Sequence, residues 1–195
     1  MQRNPDLIGL LLAGGASSRM GVDKASLEID GEPLARRVTD LLSGACDSIL
    51  VASGDGERLA WLGLPQVADI EPDAGPLGGL IAGLEAATTP LMAVVAVDMP
   101  DASAAVFDLL ARRAPGHDAA VPRTGRGLEP LHAVYAAAAS RILRRAFDDG
   151  ERSVTRALAR LDVVVVEPDE WAPADPSGRF ARNLNRPSDL GPGSA

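Results

Sequence analysis

The chain has 195 residues, of which 46% are hydrophobic and only 3% are aromatic. That length fits one domain of ordinary size, and the composition predicts a core of Ala, Val, Leu and Ile in which helices cover a buried sheet. The formal net charge is −8, which argues against a nucleic-acid-binding surface, because such surfaces need clustered Lys and Arg. A local cationic pocket for one triphosphate stays compatible with this charge.

The cysteine content and the first apolar run limit the chain further. The single cysteine, Cys46, cannot form an intrachain disulfide or a cysteine metal cage. The apolar run over residues 7–13 is too short to cross a bilayer, and it has neither a basic leader nor a secretory cleavage pattern. We therefore expect a cytoplasmic protein without a membrane partner.

The first half of the chain alternates apolar runs with polar or glycine-rich segments. The run 7–12 predicts a strand buried on both faces, and 91–97 is the strongest strand pattern, with Asp98 at its carboxyl end. The other predicted elements of this half are strands over 25–29, 48–52 and 66–68 and helices over 34–42 and 77–87.

The second half continues the alternation. Ser103 is the expected N-cap of a helix over 103–113, and 168–178 is expected to be a loop rich in Pro and Asp. The remaining predictions are strands over 119–122, 131–135 and 163–166 and helices over 137–147 and 154–161.

This order of elements predicts an α/β fold. We expect a single Rossmann-like three-layer α/β/α domain over residues 1–190, with a mostly parallel central sheet and a frayed tail over 191–195. In such sheets, ligands bind beyond the carboxyl ends of the strands. Polar and glycine-rich segments follow several of the predicted strands, which places a candidate site at that edge.

The densest motif runs from Leu12 to Lys24 and follows the first predicted strand. Gly14 and Gly15 let backbone amides approach an anion closely, while Arg19 and Lys24 add positive charge where a triphosphate would lie. The motif is neither a Walker A sequence nor a dinucleotide fingerprint, since the required spacings are absent. The alternative interpretation is a tight strand-to-helix connection with solvated charges.

This segment resembles the signature loop of the molybdenum cofactor guanylyltransferases, LAGGxSxRMGxDK, and it matches that pattern at every fixed position. The resemblance continues along nearly the whole chain, and it implies a fold of the nucleotide-diphospho-sugar transferase type. The further segments that resemble the family are a second glycine-rich loop at 72–79, a metal-binding strand end at 97–100, and the stretches 129–135, 150–152 and 183–185.

The resemblance implies a set of nucleotide and metal contacts. It gives catalytic roles to Arg19, Lys24 and Asp98, and it makes Asp98 the ligand of Mg²⁺. A carboxylate at the end of a buried strand needs a cation or hydrogen bonds to compensate its charge, and a metal ion would supply this. The alternative for Asp98 is a helix cap or a loop hydrogen bond. Asp101 is a weaker candidate for the metal. The residues placed against the nucleotide are Leu12, Ala13, Gly14, Gly15, Lys24, Ser53, Asp69, Gly78 and Asp98.

Asp69 is the candidate for base recognition. A carboxylate can accept from the N1–H and N2–H₂ edge of guanine, a donor pair that cytosine lacks; a turn-forming aspartate is the alternative. The related cytidylyltransferases tend to carry Ala-Ala-Gly where this chain has Ala13-Gly14-Gly15, which also favours guanine. Ser53 stands where the guanylyltransferases are expected to carry Asn, so it departs from the family pattern.

The resemblance implies that the acceptor side of the site comes from the last third of the chain. The residues assigned to it are His132, Arg152, Asn183 and Asn185, with Arg123 and Arg126 as further candidates for the acceptor phosphate. The alternatives are a structural histidine, surface arginines and turn-forming asparagines. Tyr135 and Trp171 are expected to be packing residues.

The predicted reaction is guanylyl transfer from Mg-GTP to the phosphate of molybdopterin, with release of pyrophosphate and no covalent enzyme intermediate. The alternatives are cytidylyl transfer to the same pterin, nucleotidyl transfer to another small acceptor, and a non-catalytic pterin- or nucleotide-binding adaptor. Beyond GTP and molybdopterin, the expected partners are molybdenum-insertion proteins and recipient molybdoenzymes; nucleic acid is not expected.

Overall fold

The computed structural model describes residues 4–14 and 23–184. Within them, eight strands form one sheet in the order β10-β7-β9-β6-β1-β4-β5, with β8 paired to β7, while β2 and β3 form a separate hairpin. The strands are β1 (Asn4–Leu12), β2 (Glu28–Ile29), β3 (Glu32–Pro33), β4 (Cys46–Gly54), β5 (Gln66–Ala68), β6 (Leu91–Ala96), β7 (Ala119–Thr124), β8 (Gly127–Leu128), β9 (His132–Ala136) and β10 (Val163–Val166).

Helices cover both faces of the sheet. The α-helices are α1 (Leu34–Leu42), α2 (Gly75–Glu85), α3 (Ala104–Arg113), α4 (Ser140–Asp148), α5 (Val154–Ala157) and α6 (Pro168–Trp171). Short 3₁₀ turns span Lys24–Ser26, Ala60–Leu62, Ala137–Ala139, Leu158–Arg160 and Arg179–Ala181. No helix in the described part of the chain combines the length and apolar character that a bilayer crossing requires.

The apolar run of β1 divides its side chains between two cores. Leu7 and Leu11 pack into the core that α1 and α3 cover, whereas Ile8 and Leu10 pack into the core that α2 and α4 cover. A strand buried on both faces needs apolar residues at every position, which explains the continuous run rather than an alternating pattern. The predicted three-layer α/β/α architecture is confirmed.

The sheet is mostly parallel, as predicted. β1 pairs in parallel with β4 and β6, β4 with β5, and β7 with β10. The exceptions in the described part of the sheet are β9, which runs antiparallel between β6 and β7, and the short β8, which pairs antiparallel with β7. A pattern of apolar residues gives a strand but not its direction, so this reversal could not be derived from the sequence.

Some predicted elements differ from the observed ones. The expected strand over 25–29 is wrong, because the Asp23 carboxylate accepts from the Ala25 amide (3.1 Å) and caps a 3₁₀ turn there. Only Glu28–Ile29 remains extended. The expected loop over 168–178 contains α6, which begins with a reciprocal capping box between Glu167 and Glu170.

Candidate active site

The carboxyl ends of the three central strands meet at one level. Leu12, the last residue of β1, pairs with Ala52 of β4 on one side and with Ala96 of β6 on the other. Two hydrogen bonds extend this pairing, from the Ala13 amide to the Ala52 carbonyl and from the Val97 amide to the Leu12 carbonyl, both 2.9 Å. The loops that leave these strands therefore lie side by side, at the edge where the sequence predicts a site.

Lys24 and Asp98 meet at this edge although they are 74 positions apart. The Lys24 ammonium lies 3.2 Å from Asp98 Oδ2, and the two side chains are 24% and 23% exposed. The same ammonium donates to the Leu184 carbonyl (3.1 Å), while the Leu184 amide donates to the Asp98 carbonyl (2.8 Å). A half-buried cation and carboxylate thus share one opening, which suits a phosphate bound with a metal ion.

The donor set at Asp98 fits magnesium better than a soft or tightly caged metal. Among the described residues, no group of three or more His, Cys, Asp or Glu side chains could enclose an ion. A cation at Asp98 would therefore take its other ligands from phosphate oxygens and water, which is the usual coordination of protein-bound Mg²⁺.

The carboxylate of Asp69 packs closely against two glycines. A Cβ on Gly14 would lie 3.0 Å from both carboxylate oxygens, and one on Gly79 would lie 3.1 Å from Oδ1. Oδ1 is buried and accepts no hydrogen bond within the described residues. Burial raises the pKa of Asp69 to about 6, and the nearby positive charge of Arg58 opposes that rise. Among the described residues this buried acceptor therefore has no partner, and a side chain at either glycine would displace the Asp69 carboxylate.

Gly79 is a residue that the sequence reasoning missed, because the resemblance placed Gly78 against the nucleotide. A Cβ on Gly78 would lie 2.2 Å from the Ala74 Cβ, so Gly78 is required for packing at the start of α2. Gly79 instead approaches the Asp69 carboxylate. The double glycine itself was the signal, but only the helical register shows which of the two faces the carboxylate.

Ser53 is the second-to-last residue of β4, and its side chain lies inside the protein. It is 1% exposed, and its hydroxyl has no hydrogen-bond partner among the described residues. Its backbone carbonyl accepts from Arg58 Nε (3.2 Å). Ser53 therefore brings a second unsatisfied polar group to the same sheet edge as Asp69.

Arg58 is a second residue that the sequence reasoning missed. Its guanidinium donates to the carbonyls of Ala13 and Ser53 and forms an ion pair with Asp23 (Nη1–Oδ2, 2.5 Å). The available signal was the polar segment after β4, in which Asp55 Oδ1 accepts from the Arg58 amide (2.7 Å). From the sequence alone, that segment is an ordinary turn. Only the fold places Arg58 beside Ala13 and Asp23.

His132, which was expected on the acceptor side, lies in the core, as the alternative of a structural histidine predicts. His132 is 0% exposed and stacks on Phe107 with ring centroids 3.9 Å apart. Its Nε2 accepts from the Ser103 amide (3.1 Å), and burial lowers its pKa to about 3. It is a neutral core residue that receives an orphan donor at the start of α3.

The arginines proposed for the acceptor phosphate are engaged in local contacts. Arg152 stacks over the Phe147 ring at 3.6 Å and donates to the Phe147 and Glu151 carbonyls. Arg126 pairs with Glu129 (3.0 Å), and Arg123 pairs with Glu167 (3.1 Å). Tyr135, expected to be a packing residue, is fully buried, and its hydroxyl donates to the Pro130 carbonyl (2.8 Å).

Asn183 is the acceptor-side candidate that the structure keeps at the site. Its Oδ1 is buried and has no partner within the described residues. The next residue, Leu184, is bound by both Lys24 and Asp98. Gly15, Arg19 and Asn185 lie outside the described residues, so their expected roles remain predictions.

The fold and this edge define the class of protein as a nucleotidyltransferase. A solved structure with the same architecture, "Molybdopterin-guanine dinucleotide biosynthesis protein A" from Archaeoglobus fulgidus, gives a TM-score of 0.81 at 27% identity and covers 94% of both chains. The model of the MobA-like NTP transferase domain matches residues 9–174, and the chain belongs to that family.

Relatives along almost the whole chain agree with this assignment. A protein of Chloroflexus aggregans named "Probable molybdenum cofactor guanylyltransferase" is 41% identical, over 93% of this chain and 90% of its own. A protein of the same name from Natronomonas pharaonis is 39% identical, over 93% and 94%. The resemblance read from the signature loop is confirmed.

Proposed function

We propose that this protein transfers GMP from Mg-GTP to the phosphate of molybdopterin, with release of pyrophosphate. The observation that carries the proposal is Asp69 Oδ1, which is buried and has no hydrogen-bond partner among the described residues. It lies against Gly14 and Gly79 at the sheet edge that also carries Lys24 and Asp98. Guanine offers an N–H and an amino group side by side, and a carboxylate can accept from both. Cytosine has no such pair, so this acceptor favours GTP over CTP.

The chain's own residues divide the work between binding and charge stabilisation. Lys24 serves as a point charge for the triphosphate, and the Gly14 amide approaches it closely because no side chain intervenes. Asp98 would hold Mg²⁺, which neutralises charge on the triphosphate when bound. The signature-loop cation Arg19 is proposed to add to this charge.

The reaction requires positioning rather than a protein nucleophile. An oxygen of the acceptor phosphate attacks the α-phosphorus of GTP in line, the bond to the β-phosphate oxygen breaks, and pyrophosphate leaves with that electron pair. Asn183 is proposed to bind the pterin with its buried Oδ1, which has no hydrogen-bond partner within residues 4–14 and 23–184. The names of the relatives support molybdopterin as the acceptor. Delivery to molybdenum-insertion proteins and molybdoenzymes stays a prediction.

Pyrophosphate release tests the proposal. The protein is incubated with each of the four NTPs and Mg²⁺, with and without molybdopterin. We expect release with GTP that depends on molybdopterin, and much slower release with CTP. A preference for CTP would make the protein a cytidylyltransferase, and absence of release with every NTP would overturn the proposal.

A further inference from the structure

Arg58 occupies a position where three separate chain segments converge. Its guanidinium contacts Ala13 beyond β1, Ser53 at the end of β4, and Asp23 at the start of the Lys24–Ser26 turn. Guanidinium is suited to this task because it carries five N–H donors in a rigid, planar fork. A lysine ammonium in the same place could not reach all three acceptors with comparable geometry.

The backbone around Arg58 is held in place by contacts that do not involve the Arg58 side chain. Asp55 Oδ1 accepts from the amides of both Glu57 (2.9 Å) and Arg58 (2.7 Å). Leu59 is fully buried, and its amide donates to Gln66 Oε1 (3.1 Å). Because its neighbours are anchored to the core and to β5, the Arg58 side chain starts from a fixed point.

The contact with Asp23 links Arg58 to Lys24. The Asp23 carboxylate divides its oxygens, since Oδ2 faces Arg58 and Oδ1 accepts from the Ala25 amide. That second bond caps the 3₁₀ turn on which Lys24 lies, and the Lys24 ammonium is 3.2 Å from Asp98. A continuous series of polar contacts therefore runs from Arg58 to the cation at the sheet edge.

We infer that Arg58 is a positioning residue for nucleotide binding. Its guanidinium holds Ala13 and Asp23 at a fixed separation and thereby sets the positions of Gly14 and Lys24, which meet the triphosphate. This inference rests on the proposed function. The same positive charge acts on Asp69 and partly offsets the effect of burial on its pKa, so Arg58 also helps to keep the base-reading carboxylate ionised.

Binding measurements with two Arg58 variants and a matched control test this role. We expect Arg58→Gln to raise the Kd of GTP about tenfold and Arg58→Lys to raise it about threefold, because lysine restores the charge but not the fork. Arg36→Gln is the control, since that guanidinium also donates to a backbone carbonyl (Leu62, 3.3 Å) but lies on α1.

A double-mutant cycle separates positioning from a general loss of stability. Asp23→Asn keeps an oxygen for the Ala25 amide and loses the charge that faces Arg58. If Arg58 acts through Asp23, the double variant binds GTP within about twofold of Arg58→Gln alone. Additive losses would show that the two residues act independently and would overturn the inferred series of contacts.

Hydrogen exchange provides a readout without nucleotide. The Ala13 amide, bonded to Ala52, and the Ala25 amide, bonded to Asp23, are expected to exchange faster in Arg58→Gln than in the wild type or in Arg36→Gln. Wild-type GTP affinity and exchange in folded Arg58→Gln would overturn the inference and leave the proposed function standing. If wild-type protein fails to bind GTP, the proposed function falls, and exchange still decides the structural role. If Arg58→Gln does not fold, Arg58→Lys and Asp23→Asn decide by the same criteria.

Discussion

At the scale of single residues, the site depends on buried polar groups that have no hydrogen-bond partner in the described part of the chain. Asp69 Oδ1, the Ser53 hydroxyl and Asn183 Oδ1 are all buried and unsatisfied among the described residues. An unsatisfied buried polar atom costs about 1–3 kcal/mol. The fourth such atom, His132 Nδ1, lies in the core. A ligand that supplies the missing partners removes this cost, which supports a binding site where Ser53 and Asp69 lie at the carboxyl ends of the paired strands β4 and β5.

Asp69 predicts a pH dependence of GTP binding. Burial raises its pKa to about 6, so the carboxylate is ionised above that pH and loses its charge as the pH falls through it. Since the ionised form accepts both donors of guanine, the Kd of GTP at pH 5 is expected to be about tenfold higher than at pH 7.5. Calorimetric titration over this range measures it. Asp69→Asn is expected to bind weakly at both pH values.

The control for this experiment is Asp47→Asn, which changes an exposed carboxylate near the start of β4. That variant is expected to retain the wild-type pH profile. A pH-independent Kd in the wild type would contradict the assignment of Asp69 as the base reader.

The role of a residue could be predicted from the sequence where a local motif indicates it, and could not be predicted where the role depends on packing. The meeting of Lys24 with Asp98 follows from two sequence motifs that both end at the carboxyl edge of a parallel sheet. Arg58 and Gly79 acquire their roles only through long-range contacts. His132 shows the same limit, because its motif position suggested the ligand while its burial against Phe107 placed it in the core.

At the scale of elements, glycines set how closely α2 approaches the sheet. Gly83 lies over Leu10 of β1, and a Cβ there would be 2.4 Å from a Leu10 methyl group. Gly79, one turn earlier, brings the same helix against Leu12 and Asp69. The close approach of the helix to β1 and to the Asp69 carboxylate therefore has one origin, which is the row of glycines on α2.

Gly83→Ala tests this packing. The added methyl group has no space beside Leu10, so we expect the free energy of unfolding to fall by about 1–3 kcal/mol, the usual range for overpacked cores. Urea unfolding measures the change. Gly125→Ala is the control, because a Cβ there meets no atom within 4 Å. Equal stability of the two variants would contradict the tight packing of α2.

The elements themselves were largely readable from the sequence. Continuous apolar runs gave β1 and β6, and amphipathic spacing gave α1 with the bounds 34–42. The wrong strand over 25–29 shows where pattern fails, because the Asp23 cap overrode the local preference. The reversed direction of β9 is settled by its partners β6 and β7, which no local pattern encodes.

At the scale of the whole molecule, His132 joins elements that are distant in the chain. It lies at the start of β9, and its Nε2 accepts a hydrogen bond from the backbone amide of Ser103, which directly precedes α3. Its ring contacts the rings of Phe107 and Phe180. The ring is fully buried. Protonation of this histidine would leave a charge inside the core, so its titration is coupled to folding of the domain.

His132 predicts sensitivity of the fold to acid. Its pKa falls from 6.5 to about 3 on folding, so the neutral form stabilises the protein above pH 6.5 and this contribution is lost as the pH falls towards 3. The free energy of unfolding is expected to decrease by about 1.4 kcal/mol per pH unit below 6.5 from this residue. Urea unfolding between pH 7 and 5 measures the slope.

Two variants isolate the contribution of His132. His132→Gln is expected to be less stable at pH 7 but to show a shallower slope. His117→Gln changes a partly exposed histidine and is expected to leave the free energy of unfolding at pH 7 close to the wild-type value. A slope in His132→Gln as steep as in the wild type would show that other groups cause the acid sensitivity.

The backbone of Leu184 has a consequence for how the two substrates bind. Its carbonyl accepts from Lys24, its amide donates to Asp98, and it directly follows Asn183. A triphosphate that binds the Lys24 ammonium weakens its hydrogen bond to the Leu184 carbonyl, which helps to hold the segment that contains Asn183. We therefore expect binding of GTP to change the affinity for molybdopterin, and the reverse. The thermodynamic cycle must close, and whatever factor GTP applies to the molybdopterin Kd, molybdopterin applies to the GTP Kd. Titrations in both orders should change each Kd by the same factor, and that factor should differ from one. A factor of one would show that the Lys24–Leu184 contact does not couple the two ligands.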